Sequence, residues 1–420
     1  MTDDDARASD AAGATEMSDA RGPAEGLTDG PAAGRLAPAA RSPRRRRLLI
    51  ALGALAVVVV MGAGFWFWSS LSETRYEAAG SALQSQLADE SAAVHAYNAR
   101  RADVNTLAVR VRSIVDRAEF SADTSAPADA VRRDLAVLEP LASSPNAPEP
   151  AALPQRADAG GYEPPWQLTS EAETLEDAAR QSQQATERLV ASTGATKSAG
   201  EAASASEAAY FETTAQSAEQ VIAANALSDR SVQVALLDLV EEARNPAMSA
   251  SRNGAFLGSV FEAESQVRSS QGTNQAEQDD PAWAVRREIE AYARSLSRGV
   301  ALEFVWAPEV DGLGEGWLSG TAEPYEDHGG YAIISLNYSM EDAWNDGLND
   351  TDARALVAHE VGHTQIFRCA TLFADPAIGQ NQEMWATAWS ISLGYDVDGS
   401  GIQAYGRPTD AQIAVAAQCR

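Results

Sequence analysis

The sequence predicts an α+β domain at the C-terminus, preceded by a single transmembrane helix and a mostly helical stalk region. Three observations lead to this fold class. They are one uncharged apolar stretch near the N-terminus, long helical patterns in the middle, and mixed strand and helix patterns after residue 280. The length of 420 residues allows one to three domains. Hydrophobic residues make up 45% and charged residues 22%, which is typical of a chain with a globular core.

Charge and cysteine content exclude several classes of protein. The formal net charge is −28, from 60 acidic and 32 basic residues. Such an acidic chain repels phosphate backbones, so we expect no nucleic-acid partner. Two cysteines are too few for a dense disulfide scaffold or a four-cysteine zinc site.

A membrane-spanning helix is predicted within residues 48–70. Leu48 to Trp68 are uncharged, and a helix of that length rises about 31 Å, which matches the hydrocarbon core of a bilayer. Four aromatic residues end the stretch, as expected at a membrane–water boundary. A cleaved signal peptide is the alternative, but its apolar core would be only about 7–15 residues long. We therefore expect an uncleaved anchor that binds the lipid bilayer.

The arginines from Arg44 to Arg47 predict the topology. Basic residues stay in the cytoplasm, so residues 1–47 should be cytoplasmic and the C-terminal domain extracellular. Residues 1–47 are also poor in large apolar residues and cannot bury enough surface to fold. We therefore predict a single-pass protein of the cell membrane with a disordered cytoplasmic tail.

Residues 71–120 are predicted to form a helical stalk. After Gly80 the segment contains neither glycine nor proline. Apolar residues seven or fourteen positions apart form a heptad pattern: Tyr76, Leu83, Tyr97, Val104 and Val111. Two interpretations remain open. One is a weak coiled coil, which would allow a homo-oligomer through the stalk, and the other is an amphipathic helix that packs on its own chain.

Composition divides the following residues into linkers and a helical segment. Residues 121–166 contain many prolines, which break helices, and are predicted to be a linker. Residues 246–280 are rich in Ser, Gly, Asn and Gln and are predicted to be a second linker. Between them, residues 167–245 are predicted to form helices at Ser170–Val190, Ser204–Ala226 and Ser231–Arg244.

Residues 281–420 are predicted to form a domain of two strands and four helices. The strands are Val300–Trp306 and Tyr331–Ser339, which are rich in β-branched and aromatic residues. The helices are Pro281–Arg298, a helix capped by Asp352 that runs to about Cys369, Asn381–Leu393, and Asp410–Gln418. Thr409 and Gln412 form a capping-box pattern at the start of the last helix.

The second of these helices contains the sequence His359-Glu360-Val361-Gly362-His363, an H-E-x-x-H motif. Residues four positions apart point the same way on a helix, so both imidazoles can reach one metal ion. Glu360 points elsewhere and can contact a water molecule on that ion. A catalytic zinc also needs a third protein ligand and an open position. Glu383, on the next predicted helix, is the favoured third ligand, and the competing candidates are Asp375, Asp396 and Asp398.

The order of strand, H-E-x-x-H helix and glutamate helix between Tyr331 and Gly394 resembles the gluzincins, the thermolysin-like zinc peptidases. The flank from Asn381 to Ala386 is similar to the segment that contains the ligand glutamate in this family. The resemblance implies a zincin-like α+β fold for the C-terminal domain. The related metzincin pattern is excluded, because it needs Gly at 366 and His at 369, where this chain has Ile366 and Cys369.

The same resemblance implies Zn²⁺ as the cofactor, with His359, His363 and Glu383 as its ligands. It implies that Glu360 acts as the general base in the hydrolysis of peptide bonds. A peptide or protein substrate would lie along the strand Tyr331–Ser339 at the edge of the sheet. The alternative for this strand is an ordinary interior position.

The chain departs from the gluzincin pattern at two points. The family usually has an acid four residues after the ligand glutamate, and this position is Thr387 here. Either another acid or a backbone carbonyl would then orient the zinc-binding histidine. No histidine follows Glu383, which leaves Tyr395, Tyr405 and Arg407 as candidate donors to the oxyanion.

A disulfide between Cys369 and Cys419 is favoured over two free buried thiols, because it is allowed outside the cell. Closing a loop of about 50 residues would stabilise the fold by roughly 3–4 kcal/mol. His95 has no partner at metal-ligand spacing and is expected to lie at the surface. His328 could bind metal or substrate in principle, but it precedes a Gly-Gly turn and is expected to be solvated.

Together these observations predict a membrane-anchored, extracytoplasmic zinc peptidase. The alternative is a catalytically inactive zinc-binding protein, or a coiled-coil scaffold or interaction protein of the cell surface.

Overall fold

The computed structural model describes residues 43–152 and 163–420, with side chains from Ile50 onward. Most of the predicted tail, residues 1–42, and part of the first predicted linker, residues 153–162, lie outside the described residues. The chain divides into two compact units, Met1–Ser72 and Glu73–Arg420.

In the first unit, the predicted membrane span is helical. It belongs to α1 (Pro43–Val115), a single helix of 73 residues. The most apolar 18-residue window of this helix has a mean hydropathy of 2.3, and none of it is buried inside the protein. Val60 and Trp66 are 70% and 74% exposed, for example. By length and composition, this stretch could cross a membrane.

The second unit begins with a helical bundle that contains the C-terminal part of α1. The other bundle helices in the described residues are α2 (Ala118–Ala122), α3 (Ala126–Ala142), α4 (Pro165–Ala224), α5 (Arg230–Arg244) and α6 (Gly254–Asp279). Their apolar faces form one core, which includes the fully buried side chains of Ile114, Phe120, Leu138, Phe211, Leu236 and Leu257. Burial of these faces is the main source of stability for such a bundle.

Within the bundle, α1 and α4 lie side by side in the same direction. Arg75 pairs with Glu176 at 2.9 Å, and Arg110 pairs with Glu207 at 2.8 Å. Residue numbers therefore increase together along both helices. Because Leu83 and the apolar residues that follow it are buried against the same chain, the stalk is an amphipathic helix that packs intramolecularly.

The first predicted linker, residues 121–166, contains helices, so this prediction was wrong. α3 accommodates Pro127 in its first turn, where no intrahelical donor is required, and Pro140 in its last turn. The helices predicted at Ser170–Val190 and Ser204–Ala226 are parts of the single helix α4.

The prediction of a second linker at residues 246–280 was also wrong, because most of these residues form α6. The Asn253 side chain caps this helix by accepting hydrogen bonds from the backbone N–H groups of Ala255 and Phe256. The buried apolar residues of α6 recur at helical spacing: Phe256, Leu257, Val260, Ala263 and Val267. The polar residues between them hid this pattern in the composition.

The C-terminal domain packs a three-stranded sheet against helices. Its elements are α7 (Ala284–Leu296), β1 (Ala301–Ala307), β2 (Gly320–Tyr325), β3 (Tyr331–Asn337), α8 (Ser339–Ala343), α9 (Asp350–Thr364), α10 (Ala370–Phe373), α11 (Gln382–Ser392), α12 (Ile402–Tyr405) and α13 (Asp410–Ala416). The core contains the fully buried side chains of Ile334, Leu336, Met340, Trp385 and Trp389. Cys369 and Cys419 form the predicted disulfide.

The sheet has the strand order β1-β3-β2, with β1 parallel and β2 antiparallel to β3. The predicted strand Tyr331–Ser339 is β3, so its expected place at the sheet edge was wrong and the interior alternative is correct. The edge strand β2 was not predicted, because it is short and contains Pro324. Proline removes a ladder donor and is tolerated at a sheet edge.

The helix of the H-E-x-x-H motif is shorter than predicted and ends at Thr364 instead of near Cys369. Its N-cap residue is Asn349 instead of Asp352. The Asp352 carboxylate accepts a hydrogen bond from the N–H of Gly399 at 2.8 Å and so fixes the segment after α11. The predicted capping box at the start of α13 is present.

Polar contacts join the bundle to the C-terminal domain. The backbone N–H and the hydroxyl of Ser231 donate to the Glu303 carboxylate at 3.1 and 3.0 Å. Arg230 donates to the carbonyl of His328 at 2.7 Å, and the His328 ring lies 2.8 Å from Asp238. The His328 side chain is only 17% exposed, so the expectation that it is solvated was wrong.

Candidate metal centre

His359, His363 and Glu383 come together between α9 and α11. The two histidines lie one turn apart on α9 and are both buried. Asn381 caps α11 and places Glu383 in its first turn. The Nε2 atoms of the histidines are 3.1 Å apart, and Glu383 Oε2 lies 3.2 Å from His359 Nε2 and 3.4 Å from His363 Nε2.

This triangle has the size of a metal site. Ligand atoms about 2.0–2.1 Å from a tetrahedral ion are separated by roughly 3.3 Å, close to the three observed distances. All three ligand atoms lie within 4.8 Å of one another, and the cluster could hold a metal ion. Two imidazole nitrogens and a carboxylate oxygen are donors that suit several divalent metals.

A hydrogen bond on the far side of the His359 ring supports this interpretation. Its Nδ1–H donates to the Ser400 carbonyl at 2.9 Å, which leaves the lone pair of a neutral imidazole on Nε2. That lone pair then faces the Glu383 carboxylate, and a proton or a metal ion is needed between them. The sequence left two candidates for the group that orients this histidine, another acid or a backbone carbonyl, and the structure has the carbonyl of Ser400 there. The hydroxyl of Thr387 is 3.4 Å from Nδ1.

Glu360 lies on the same helix but outside the triangle. It is 4% exposed, and burial raises the pKa of its carboxyl to about 7. The backbone of β2 passes close to it, because a methyl group on Gly320 would lie 3.0 Å from Glu360 Cγ. A carboxyl with a pKa near neutrality can both accept and donate a proton.

Glu383 and Tyr405 differ from Glu360 in their protonation. Burial opposes the ionisation of Glu383, but when a proton lies between the histidine rings and Glu383, hydrogen bonds from His359 and His363 hold the pKa of the Glu383 carboxyl well below its usual range. The Tyr405 ring stacks on His359, with centroids 5.8 Å apart and planes at 8°. Burial and the nearby Glu383 charge raise the pKa of Tyr405 to about 12, so its phenol remains a donor.

The structure separates the remaining candidates. Of the three possible oxyanion donors, only Tyr405 is shown in contact with the triangle within the described residues. The hydroxyl of Tyr395 accepts a hydrogen bond from the hydroxyl of Tyr292, and Arg407 pairs with Asp396. Among the alternative third ligands, Asp375 accepts a hydrogen bond from the Ala377 backbone, and none joins the triangle in the described chain.

Sequence reasoning missed β2, Ser400 and the particular position of Tyr405. The last two lie after α11, in a one-turn 3₁₀ helix and in the four-residue helix α12, which are too short to show a periodic pattern. Comparisons with protein-family models, with curated proteins and with solved structures found no match. The function of this chain is therefore inferred from the geometry of the site and from the motif.

Proposed function

We propose that this protein is a membrane-anchored, extracytoplasmic zinc peptidase whose C-terminal domain is of the gluzincin type within the zincin fold. One observation carries most of the weight. The ligand triangle of His359, His363 and Glu383 leaves the buried Glu360 unused beside it. A structural zinc site requires only ligands, whereas a hydrolytic site also needs a base next to them.

Zinc fits the donor set best. Two histidines and one glutamate, with a fourth position open, are the protein ligands of a common class of catalytic zinc site. When bound, zinc would polarise a carbonyl oxygen and make a water molecule more acidic. The Ser400 carbonyl fixes the tautomer of His359 that presents the Nε2 lone pair to an ion.

Protein groups around the triangle supply the remaining chemistry. Glu360 accepts the proton of the attacking water and donates it to the leaving amine. The Tyr405 phenol donates a hydrogen bond to the carbonyl oxygen as negative charge develops there. The free edge of β2 binds the extended peptide through backbone hydrogen bonds, which is the role first expected of β3.

The proposed location depends on the N-terminal segment. Arg44 to Arg47 precede the apolar stretch of α1 and favour a cytoplasmic N-terminus. The disulfide between Cys369 and Cys419 fits an oxidising compartment for the C-terminal domain.

The test uses the full-length protein in detergent. We expect about one zinc per chain by elemental mass spectrometry, lost in His363→Ala and kept in Glu360→Gln. His95→Ala, at an exposed histidine of the stalk, is the matched control and should keep its zinc.

Peptide hydrolysis distinguishes the enzyme from a zinc-binding scaffold. Cleavage of a randomised peptide library should fall by about 10²-fold or more in Glu360→Gln and remain unchanged in His95→Ala. Equal cleavage by wild type and Glu360→Gln would reject the mechanism. Zinc binding without any cleavage by the wild type would reject the peptidase in favour of the scaffold alternative.

A further inference from the structure

A cavity of about 510 Å³ opens where α9 ends and where β2 turns into β3. Its walls include Arg298, Arg368, Glu326, Tyr325, Tyr331 and Phe367. The cavity is separate from the ligand triangle, and nothing in the proposed reaction uses these side chains.

Two guanidinium groups in this cavity have no carboxylate partner among the described residues. Arg298 makes neither a side-chain hydrogen bond nor an ion pair in that part of the chain. Arg368 donates to the amide oxygen of Gln365 at 2.7 Å and to the carbonyl of Cys419, and both acceptors are neutral. Burial and the charge of Arg298 lower the pKa of Arg368, so the two cations repel each other. This is unusual for a chain with a net charge of −28.

The cavity also has apolar walls suited to a side chain. Arg298 follows Ser297, the C-cap residue of α7, and has the left-handed conformation (φ 53°) that commonly ends a helix. Tyr325 and Tyr331 stack with centroids 4.7 Å apart, and Phe367 is 42% exposed. These rings can cover the apolar stem of an acidic side chain while the guanidinium groups bind its carboxylate.

The position of the cavity relative to β2 sets where that side chain would lie in a substrate. β2 begins at Gly320 beside Glu360 and ends at Tyr325 in the wall of the cavity. An extended peptide covers this distance of about 17 Å with about five residues. If it pairs antiparallel to β2, the cavity lies on the N-terminal side of the scissile bond.

We propose that Arg298 and Arg368 form a subsite for an aspartate or glutamate side chain of the substrate, about five residues before the scissile bond. The proposal rests on the peptidase function above and adds a substrate preference to it. The plain alternative is that both arginines only offset the partial negative charge at the C-terminus of α9. In that case they stabilise the domain and have no effect on substrate choice.

The first experiment compares cleavage profiles of full-length variants. A library of 14-residue peptides with randomised positions is digested, and the cleaved bonds are identified by mass spectrometry. We expect enrichment of Asp and Glu four to six positions before the cleaved bond with wild type. The enrichment should disappear in Arg298→Gln/Arg368→Gln and persist in Arg188→Gln, which removes an exposed charge from α4.

The second experiment measures binding without cleavage. The inactive Glu360→Gln chain is titrated with a fluorescent peptide that contains Glu at the preferred position and with the analogue that contains Gln there. If the wild type cleaves no peptide, the preferred position is not known, and the titration uses a series of peptides with a single Glu at each position in turn, each with its Gln analogue. The Glu peptide should bind about fivefold more tightly or better, and Arg298→Gln/Arg368→Gln should remove the difference.

The outcomes separate the two proposals. Cleavage without acidic enrichment, or enrichment that survives the double substitution, overturns the subsite while the peptidase stands. Absence of cleavage combined with a retained charge-dependent difference in binding overturns the peptidase and supports the anion site. A loss of thermal stability in the double variant with an unchanged cleavage profile supports the helix-end alternative and overturns the subsite.

Discussion

Replacement of Gly401 by alanine should weaken metal binding without unfolding the chain. Gly401 has a left-handed conformation with φ 98°. A methyl carbon at this position would lie 2.5 Å from Thr387 Oγ1 and 2.8 Å from both Nδ1 and Cε1 of His359. Both neighbouring side chains are buried, so neither can move aside into solvent.

The size of the effect follows from these distances. Ordinary van der Waals contact begins near 3.4 Å, so the His359 ring must move by about 0.6 Å. Metal sites tolerate ligand displacements of about 0.2 Å. The hydrogen bond from Nδ1 to the Ser400 carbonyl would also be disturbed, and changes of this kind typically weaken metal binding 10- to 100-fold. We expect a loss of zinc affinity in this range.

Gly394→Ala is the matched control. Gly394 has φ 109°, and a methyl carbon added there would have no neighbouring atom within 4 Å, so this variant bears the left-handed backbone cost of about 1–2 kcal/mol without the clash. Zinc affinity is measured by competition with a chromophoric chelator and folding by thermal unfolding, both on the full chain. Equal zinc affinity of the two folded variants, within threefold, would refute the proposed position of His359.

Two further predictions concern stability. Arg110→Met leaves the carboxylate of Glu207, a side chain that is 2% exposed, without its partner, and should reduce the free energy of unfolding by about 3 kcal/mol in urea titrations. The double variant Arg110→Met/Glu207→Met should recover most of the loss, and a single variant as stable as wild type would contradict the argument. Burial raises the pKa of the Glu303 carboxyl above 4.5. The folded chain therefore binds the carboxyl proton more tightly than the unfolded chain does, and the free energy of unfolding falls as the pH rises through the raised pKa of Glu303. Glu303→Gln should therefore raise the melting temperature at pH 7 but not at pH 4. An unchanged melting temperature at pH 7 would argue against a free-energy cost of burying the Glu303 carboxylate.

The three residues that could hold a metal ion are the part of the site that the sequence predicts best. The spacing of His359 and His363 fixes the direction of both rings once the segment is helical, and Glu383 needed only the recognition of the next helix. The Ser400 carbonyl and Tyr405 could not be predicted in the same way. They are positioned by contacts between distant residues, such as the hydrogen bond from Gly399 to Asp352.

The secondary structure was predictable in segments where one hydrophobic periodicity dominates. It was not predictable in segments whose conformation depends on packing against distant residues. The helices α5 and α11 and the strands β1 and β3 lie within a few residues of their predicted positions. α6 was missed because polar residues separate its apolar positions. β2 was missed because a short edge strand needs little hydrophobic pattern and tolerates Pro324.

The parallel arrangement of α1 and α4 explains why the proline-rich segment is ordered where it is described. Two parallel helices in one chain require a return path along their shared length, and α3 with residues 143–149 forms its first part, back to the level of Ser91 on α1. Arg101 donates to Asn146 at 2.9 Å, Asn98 exchanges hydrogen bonds with Ala147, and Ser91 donates to Glu149 at 3.2 Å. As the chain advances from 146 to 149, its partners on α1 move back from 101 to 91. The prolines keep this segment extended, which the sequence does predict. Its packing against α1 depends on hydrogen bonds between side chains that no sequence periodicity indicates. The proline content alone therefore led to the prediction of a linker, where the described residues pack along α1.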